Sequence, residues 1–418
     1  MHIRDAKGSR TLRISCLVLD SEKQVASRLG FNKIWGGMAK YAHVVMFRSN
    51  ISQKRIRLYG PKYEEILVPG SRLSRAQLFQ RLFAALFGDN GPSILLNLEG
   101  LVDSAFLLLR HLRALLRSDF IVSYVFWFAV LAAYLPGIKQ RVIYRDGGAE
   151  WARFQMHTAS TLVKLKYGVL GVRTYNRIRV IAQSELNKSL MISAGVDPDR
   201  ISVFRHGRVD QTVFHPIRPK PKTNVLRFLF VGRIVPEKGV HVLLEAADII
   251  INKLQIYNVK FEVVGPAVDW DYTGSSDYYE SIVSGISARK LDEYFELRPF
   301  TEAAELALVY SQSDVLVLPS LVDAYPSVVA EAMMCGIPVI GTNSGGMSEM
   351  IISGENGLLV EPNNSVALAD AISVFIREPE LTYIMGSAAL RYAHKHFSLN
   401  GASEELLSAI IGKYDERY

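Results

Sequence analysis

Cysteine is almost missing from this chain: there are two in 418 residues, Cys16 and Cys335, far apart in sequence. That excludes a disulfide framework, and no Cys/His set has the spacing of a zinc site. Both thiols read as reduced core residues of a cytosolic protein. Long apolar runs are lacking too. The most membrane-like stretch, "IVSYVFWFAVLAAYLP" from Ile121 to Pro136, is closed by Pro136 and Gly137. It stops short of the roughly 20 residues a spanning helix needs. It reads as a buried strand running into a buried helix, with an interfacial membrane contact as the alternative. The first apolar run, Leu12 to Leu19, is broken by Arg13 and is too short for the core of a signal peptide. There is no low-complexity tract and no short-period repeat, which excludes solenoids and fibrous arrays.

What is present is an uneven distribution of charge. The net charge is +7. Residues 1–218 hold 33 Lys+Arg and 15 Asp+Glu, or +18, and the remaining 200 hold 15 and 26, or −11. A basic first half suits an anionic partner such as a membrane surface, nucleic acid or an anionic lipid carrier, and ordinary drift of charge between domains is the other reading. No nucleic-acid module is recognisable in the basic half, so nucleic acid is not expected as a partner.

Apolar runs of strand length alternate with helix-length segments. In the first half "LRISCLVL", "SILLNLEG", "DFIVSYVF", "RVIYRD" and "RVIAQS" read as strands, and "GGMAKYAHVVMF" and "SELNKSLMISAG" as helices. In the second half "RFLFVG", "KFEVVG", "DVLVLPS", "IPVIGT" and "GLLV" read as strands. "VHVLLEAADIIINKL", "EAAELALVYSQS" and "VVAEAMMCG" read as helices. Such alternation, with strands apolar on both faces, predicts an α/β protein of two doubly wound, Rossmann-like domains with parallel sheets. The Pro- and Lys-rich stretch His206 to Asn224 reads as the seam. The expected domains are 1–215 and 216–399, with a helix at about 400–418 crossing back onto the first.

In such sheets ligands bind beyond the carboxyl ends of the strands. Three loops there draw notice. Arg233 and Lys238 follow the strand "RFLFVG". A planar fork and a point charge suit a phosphate or diphosphate; two solvated cations, one paired with Glu237, are the alternative. In "LVDAYPSVVAEAMMCG", Pro326 can occupy the first turn of a helix, leaving the amides of Ser327 and Val328 as an anion site. Asp323 and Glu331 then flank one ligand. Glu331 is placed to accept from a ribose diol, and Asp323 to face sugar hydroxyls. An N-cap aspartate and a helix-surface glutamate are the alternative. The third loop holds Gly36 and Gly37, whose lack of side chains lets backbone approach a ligand closely.

"VGRIVPEKGVHVLLEA", "PSLVDAYPSVVAEAMMCGIPVIGTNSGGMSEMI" and "GENGLLV" resemble the nucleotide-sugar-dependent retaining glycosyltransferases of the GT-B fold, family 4 (glycosyltransferase group 1). "SELNKSLMISAGVDPDRISVFRHGRVDQTVFHP" and "RYAHKHFSLN" are similar to the same family. The resemblance spans roughly Arg179 to Asn400; before it, only Gly36-Gly37 and the strand rhythm match. It implies that Arg233 and Lys238 hold the donor diphosphate and that Glu331 holds the ribose. It places Asp323 on the transferred sugar, and Tyr325 with the amides of Ser327 and Val328 around the donor. Gly36 and Gly37 approach from the other domain. A uridine diphosphate sugar is expected ahead of a guanosine diphosphate sugar, with no cofactor and no metal. The expected acceptor is a glycan or a lipid-linked intermediate at the cytoplasmic membrane face. "SRLSRAQLFQRLFAALFG", Ser71 to Gly88, is a candidate basic amphipathic helix there, or an ordinary packed helix.

Two departures stand out. Asp323 replaces the family's commoner Glu, one methylene longer. The family's first-domain His is replaced by Arg145, Asp146 or Gly147 in "VIYRDGGAEWARF", depending on register. Arg145 could still donate to a sugar hydroxyl, but arginine does not shuttle protons. "DWD", Asp269 to Asp271, reads as a surface loop, with metal binding as the lesser reading. A sugar-nucleotide epimerase of the same shape and a non-catalytic nucleotide-sugar-binding protein are the rival functions.

Overall fold

The structure is a computed structural model that describes residues 13–18, 34–35, 38, 42–49, 56–58, 63–68, 91–146, 164–205, 207–217, 224–266, 276–299 and 302–412. Gly36, Gly37, Gly147, the candidate helix Ser71 to Gly88 and Asp269 to Asp271 lie outside these residues.

The chain divides into two compact units. One comprises Met1–Phe204 and Asn400–Tyr418, the other Arg205–Leu399. The division falls before the 215/216 boundary read from composition. The Pro-rich stretch follows the true seam because residues 205–217 already pack in the second unit. Val209 N–H donates to Phe397 O at 2.7 Å, and Val209 bridges Ser398.

The first unit holds an eight-stranded sheet ordered β3-β4-β2-β1-β5-β6-β7-β8. The strands are β1 (Arg13–Val18), β2 (His43–Ser49), β3 (Ile56–Leu58), β4 (Tyr63–Val68), β5 (Phe120–Ser123), β6 (Val142–Arg145), β7 (Arg179–Ala182) and β8 (Ile201–Val203). All pair in parallel except β3, which is antiparallel to β4. Helix α1 (Gly91–Leu116) packs on α2 (Phe126–Ala132), and α3 (Glu185–Ser193) follows β7. The stretch from Ile121 is indeed a buried strand followed by a buried helix: β5 and most of α2 are inaccessible.

Two assignments are corrected. "SILLNLEG" is helical, inside α1. Pro92 stands in its first turn, where the missing N–H costs nothing, and the leucines that follow are strong helix formers. "GGMAKYAHVVMF" does not continue as a helix, because His43–Ser49 is β2. The run Val44 to Phe47 is continuous apolar sequence of the kind buried parallel strands carry.

The second unit is a six-stranded, wholly parallel sheet ordered β11-β10-β9-β12-β13-β14. Its strands are β9 (Leu226–Val231), β10 (Val259–Val264), β11 (Phe295–Arg298), β12 (Val315–Leu318), β13 (Val339–Thr342) and β14 (Gly357–Val360). The helices are α4 (Val240–Asp248), α5 (Ser276–Ala288), α6 (Ala303–Gln312), α7 (Ser327–Met334), α8 (Ser365–Arg377) and α9 (Glu380–His396). Helix α10 (Ala402–Ile411) belongs to the first unit, where Ser403 Oγ donates to Ile34 O at 2.8 Å and Arg179 Nη2 to Ala409 O at 3.0 Å. Each sheet carries its own core, one around Phe228, Phe261 and Tyr310, the other around Ile121, Phe128 and Tyr175. Cys16 and Cys335 are free and buried. Among the described residues no helix is long and apolar enough to cross a membrane.

Candidate active site

In the second sheet the chain builds outward from β9 to β10 and β11, then returns to lay β12 on the other side of β9. The carboxyl ends of β9 and β12 therefore form the topological switch point, where open α/β sheets bind ligands. Both cations and both carboxylates singled out from the sequence sit on the loops or helix that follow these two strands.

The β9 loop is rigidly built. Ile234 N–H donates to Pro266 O at 3.0 Å, and Ile234 and Val235 are buried. Pro236–Lys238 form a single tight turn that ends at Gly239, left-handed with φ 71°. A Cβ there would lie 2.1 Å from Pro319 O, so only glycine lets the loop close against β12. Leu321 N–H donates to Glu237 O at 2.8 Å, which ties the two loops together.

This closeness pairs Lys238 with Asp323. Their ion pair joins the loops, with side chains 19% and 11% exposed. The structure thus brings together the residue expected on the diphosphate and the one expected on the sugar. Arg233, partly exposed, stands directly after Gly232 at the end of β9. The Asp323 backbone is held from a third side. Gly346 N–H donates to Asp323 O at 3.0 Å, and a Cβ on Gly345, φ 60°, would approach that oxygen to 1.7 Å. Thr342, the last residue of β13, and Ser344 just beyond it both donate to Ser320 O.

Helix α7 begins at Ser327 with Pro326 as its N-cap, one position earlier than the first turn in which the sequence placed it, and no side chain caps it. The first-turn amides of Ser327 and Val328 point out of the helix, along the positive end of its dipole. Tyr325 is buried. A Cβ at Gly207, φ 81°, would touch its ring at 3.4 Å, and the ring meets Phe397 edge-on at 6.4 Å.

Glu331 lies one turn inside α7. Tyr310 Oη donates to its Oε2 at 3.1 Å, and the Ser327 hydroxyl also bonds it. Burial raises its carboxyl to about 6, while these two hydrogen bonds hold it down. Tyr310, fully buried in α6, has its own acidity suppressed by burial and by the Glu331 carboxylate. The sequence reading missed Tyr310. Its signal was a tyrosine on an otherwise apolar helix face, whose hydroxyl needs a partner once buried.

Arg145 is placed differently from the sequence expectation. It ends β6 at 5% exposure, with its guanidinium 4.7 Å from the Phe204 ring centre and 5.9 Å from that of Tyr124. Its Nη1 donates to Phe204 O at 3.3 Å. Packing within the first unit accounts for it, and a buried guanidinium stacked on two rings is poorly placed to reach a sugar hydroxyl. Asp146 is also buried and accepts from Tyr175 Oη at 3.3 Å. Among the described residues, no group of three or more His, Cys, Asp or Glu is arranged to hold a metal.

Residues 213–391 match the family described as Glycosyl transferases group 1. A D-inositol 3-phosphate glycosyltransferase of Arthrobacter is 32% identical over 223 residues, which cover 51% of each chain. A putative colanic acid biosynthesis glycosyltransferase of Salmonella typhimurium is 28% identical over 200 residues, 46% of each. The chain spans about half the length of these curated relatives. Among solved structures, sucrose-phosphate synthase of Thermosynechococcus elongatus superposes with a TM-score of 0.74 at 17% identity, covering 95% of this chain and 98% of that one. Anabaena HepE in complex with UDP-glucose superposes at 0.69 and 18% identity, covering 96% and 99%. The fold is GT-B, and residues 213–391, in the second unit, match the Glycosyl transferases group 1 family.

Proposed function

We propose that the protein is a retaining glycosyltransferase that moves a sugar from a nucleoside diphosphate sugar to an acceptor hydroxyl in glycan or glycolipid assembly. The observation that carries this reading is the convergence of Arg233, Lys238, Asp323, Glu331 and an uncapped helix start on the switch point of one sheet. Glu331 is oriented by Tyr310 and Ser327 to accept from the ribose diol. Arg233, Lys238 and the amides of Ser327 and Val328 receive the diphosphate. Asp323 faces the sugar, its backbone fixed by Gly346. The UDP-glucose bound by HepE supports a uridine nucleotide as donor.

In the reaction, the bond from the anomeric carbon to the diphosphate oxygen breaks and a bond from that carbon to the acceptor oxygen forms. The acceptor proton passes to the departing diphosphate. Negative charge grows on that diphosphate, and cations and amides already in place stabilise it without reorganisation. Attack comes from the face that the diphosphate leaves, since no carboxylate is assigned as a covalent nucleophile. A donor screen tests the reading. UDP-glucose and related UDP-sugars should raise the melting temperature of the purified chain, and the sugar should reach an acceptor with its anomeric configuration kept. Stabilisation by no nucleoside diphosphate sugar would overturn it.

A further inference from the structure

Helix α1 carries a surface that the donor site does not use. Its inward face is ordinary: Ser104, Leu107, Leu108 and Leu115 are buried, the leucines in the core of the first unit. Its outward face is not. Phe106, Leu109 and Leu116 are exposed at 45%, 76% and 43%. Arg110, Arg113 and Arg117 are exposed beside them. At 100° per residue the five within α1 fall in a sector of about 120°, and Arg117 follows in the turn after the helix. Single exposed apolar side chains need no explanation, but three on one helix face do.

The charge on this face is of one sign. From Ser104 to Ser118 there is no acidic residue; Asp103 and Asp119 lie just outside. Arg110 lies over the Phe106 ring, 5.7 Å from its centre. A fourth cation closes the helix end: Arg141 Nη1 donates to Leu116 O at 2.6 Å and to Ser118 O at 2.8 Å. Leu116 O lies at the negative end of the helix dipole, so Arg141 brings positive charge to that end of the patch. Long aliphatic and aromatic side chains flanked by arginines are the pattern of a helix lying in a lipid interface, the apolar groups in the acyl boundary and the cations among headgroup phosphates.

We infer that the outward face of α1, Phe106 to Arg117, docks the first unit on an anionic lipid surface. This deepens the proposed function, since it places the acceptor-side unit where a lipid-linked acceptor is found, but its test reads no turnover. The candidate read from the sequence, Ser71 to Gly88, lies outside the described residues, whereas α1 is exposed along this face.

The test is co-sedimentation of the full chain with vesicles. Phosphatidylcholine vesicles containing about 30% phosphatidylglycerol should pellet the protein, and pure phosphatidylcholine should not. Leu109→Asp should weaken binding at least about tenfold by removing apolar insertion. Arg110→Gln and Arg117→Gln should each weaken it about fivefold. Raised salt should weaken the wild type more than the double arginine variant. An unchanged circular dichroism spectrum and melting curve for all variants check that the chain, and the first unit in it, is still folded. The inference is overturned if the wild type stays in the supernatant, or if these variants pellet as it does. It is equally overturned if the wild type ignores vesicles but forms a dimer that Leu109→Asp dissolves, because the face would then cover a second copy.

Discussion

At Glu331 two influences oppose each other: burial favours the neutral acid, and hydrogen bonds from Tyr310 and Ser327 favour the carboxylate. The balance raises its folded value to about 6, above the ordinary carboxylate range. A raised carboxyl is unfavourable to the folded state once ionised, so this group opposes folding increasingly as pH rises toward 6 and fully above it. In its proposed role on the ribose, Glu331 needs the opposite form, because an ionised carboxylate can accept two hydroxyl hydrogen bonds. Affinity for UDP-glucose should therefore fall as pH drops through about 6. UDP-glucose is the ligand to use, since free UDP has a phosphate that titrates in the same range. Tyr310→Phe should shift the step upward and weaken binding by about 1–2 kcal/mol, and Glu331→Gln should abolish it. Calorimetry across pH checks both. Glu331 and its spacing from Asp323 were legible in "DAYPSVVAE", because a helix start after a buried strand dictates where both carboxylates fall. Tyr310 was not, because its partner lies on a different helix and only the tertiary fold brings them together. Arg145 shows the converse failure. Its place in the strand "RVIYRD" was legible, but the rings beside its guanidinium, Phe204 and Tyr124, lie on other segments.

At the scale of elements, the loops after β9, β12 and β13 form one unit, locked by main-chain contacts. Gly239 is the tightest point, with its left-handed backbone against Pro319 O. Gly239→Ala should cost about 3 kcal/mol or more, lower the melting temperature by about 6–12 °C, and weaken nucleotide binding by displacing Lys238. Thermal denaturation with and without UDP checks this. In the second unit, Gly and Pro stand where strands end and helices start, so elements could be read locally. In the first unit such punctuation misled. "GPSILL" begins a helix because proline suits a first turn, and "HVVMF" pairs as a strand because β1 and β4 flank it on either side. The short edge strands β3, β8 and β11 left little apolar signal to read. β11, "FELR", alternates and lies at the sheet edge, beside only one neighbour.

For the whole molecule, the candidate donor site lies on the second unit and the inferred docking face on the first. The acidic half carries most of the stretch that matches the group 1 family and, within it, the cations Arg233 and Lys238 after β9. The charge of a domain thus says nothing of the charge at its site. The basic half carries the α1 surface. With Arg233, Lys238 and a helix start in the proposed role of supplying positive charge to the leaving diphosphate, turnover should persist in EDTA, measured as UDP release from UDP-glucose in the presence of acceptor. Loss of more than about tenfold, restored by a divalent cation, would mean that a metal carries that charge instead.

The most direct measurement is calorimetric titration of UDP-glucose into the wild type and into Arg233→Ala/Lys238→Ala, with Lys238→Ala/Asp323→Ala as a companion that leaves no unpaired Asp323. Two charge-assisted contacts to the diphosphate predict a loss of about 3–6 kcal/mol, on the order of 10²- to 10⁴-fold in affinity, in the double cation variant. An unchanged dissociation constant in that variant would show that the diphosphate does not lie at the β9–β12 switch point, and would contradict the account.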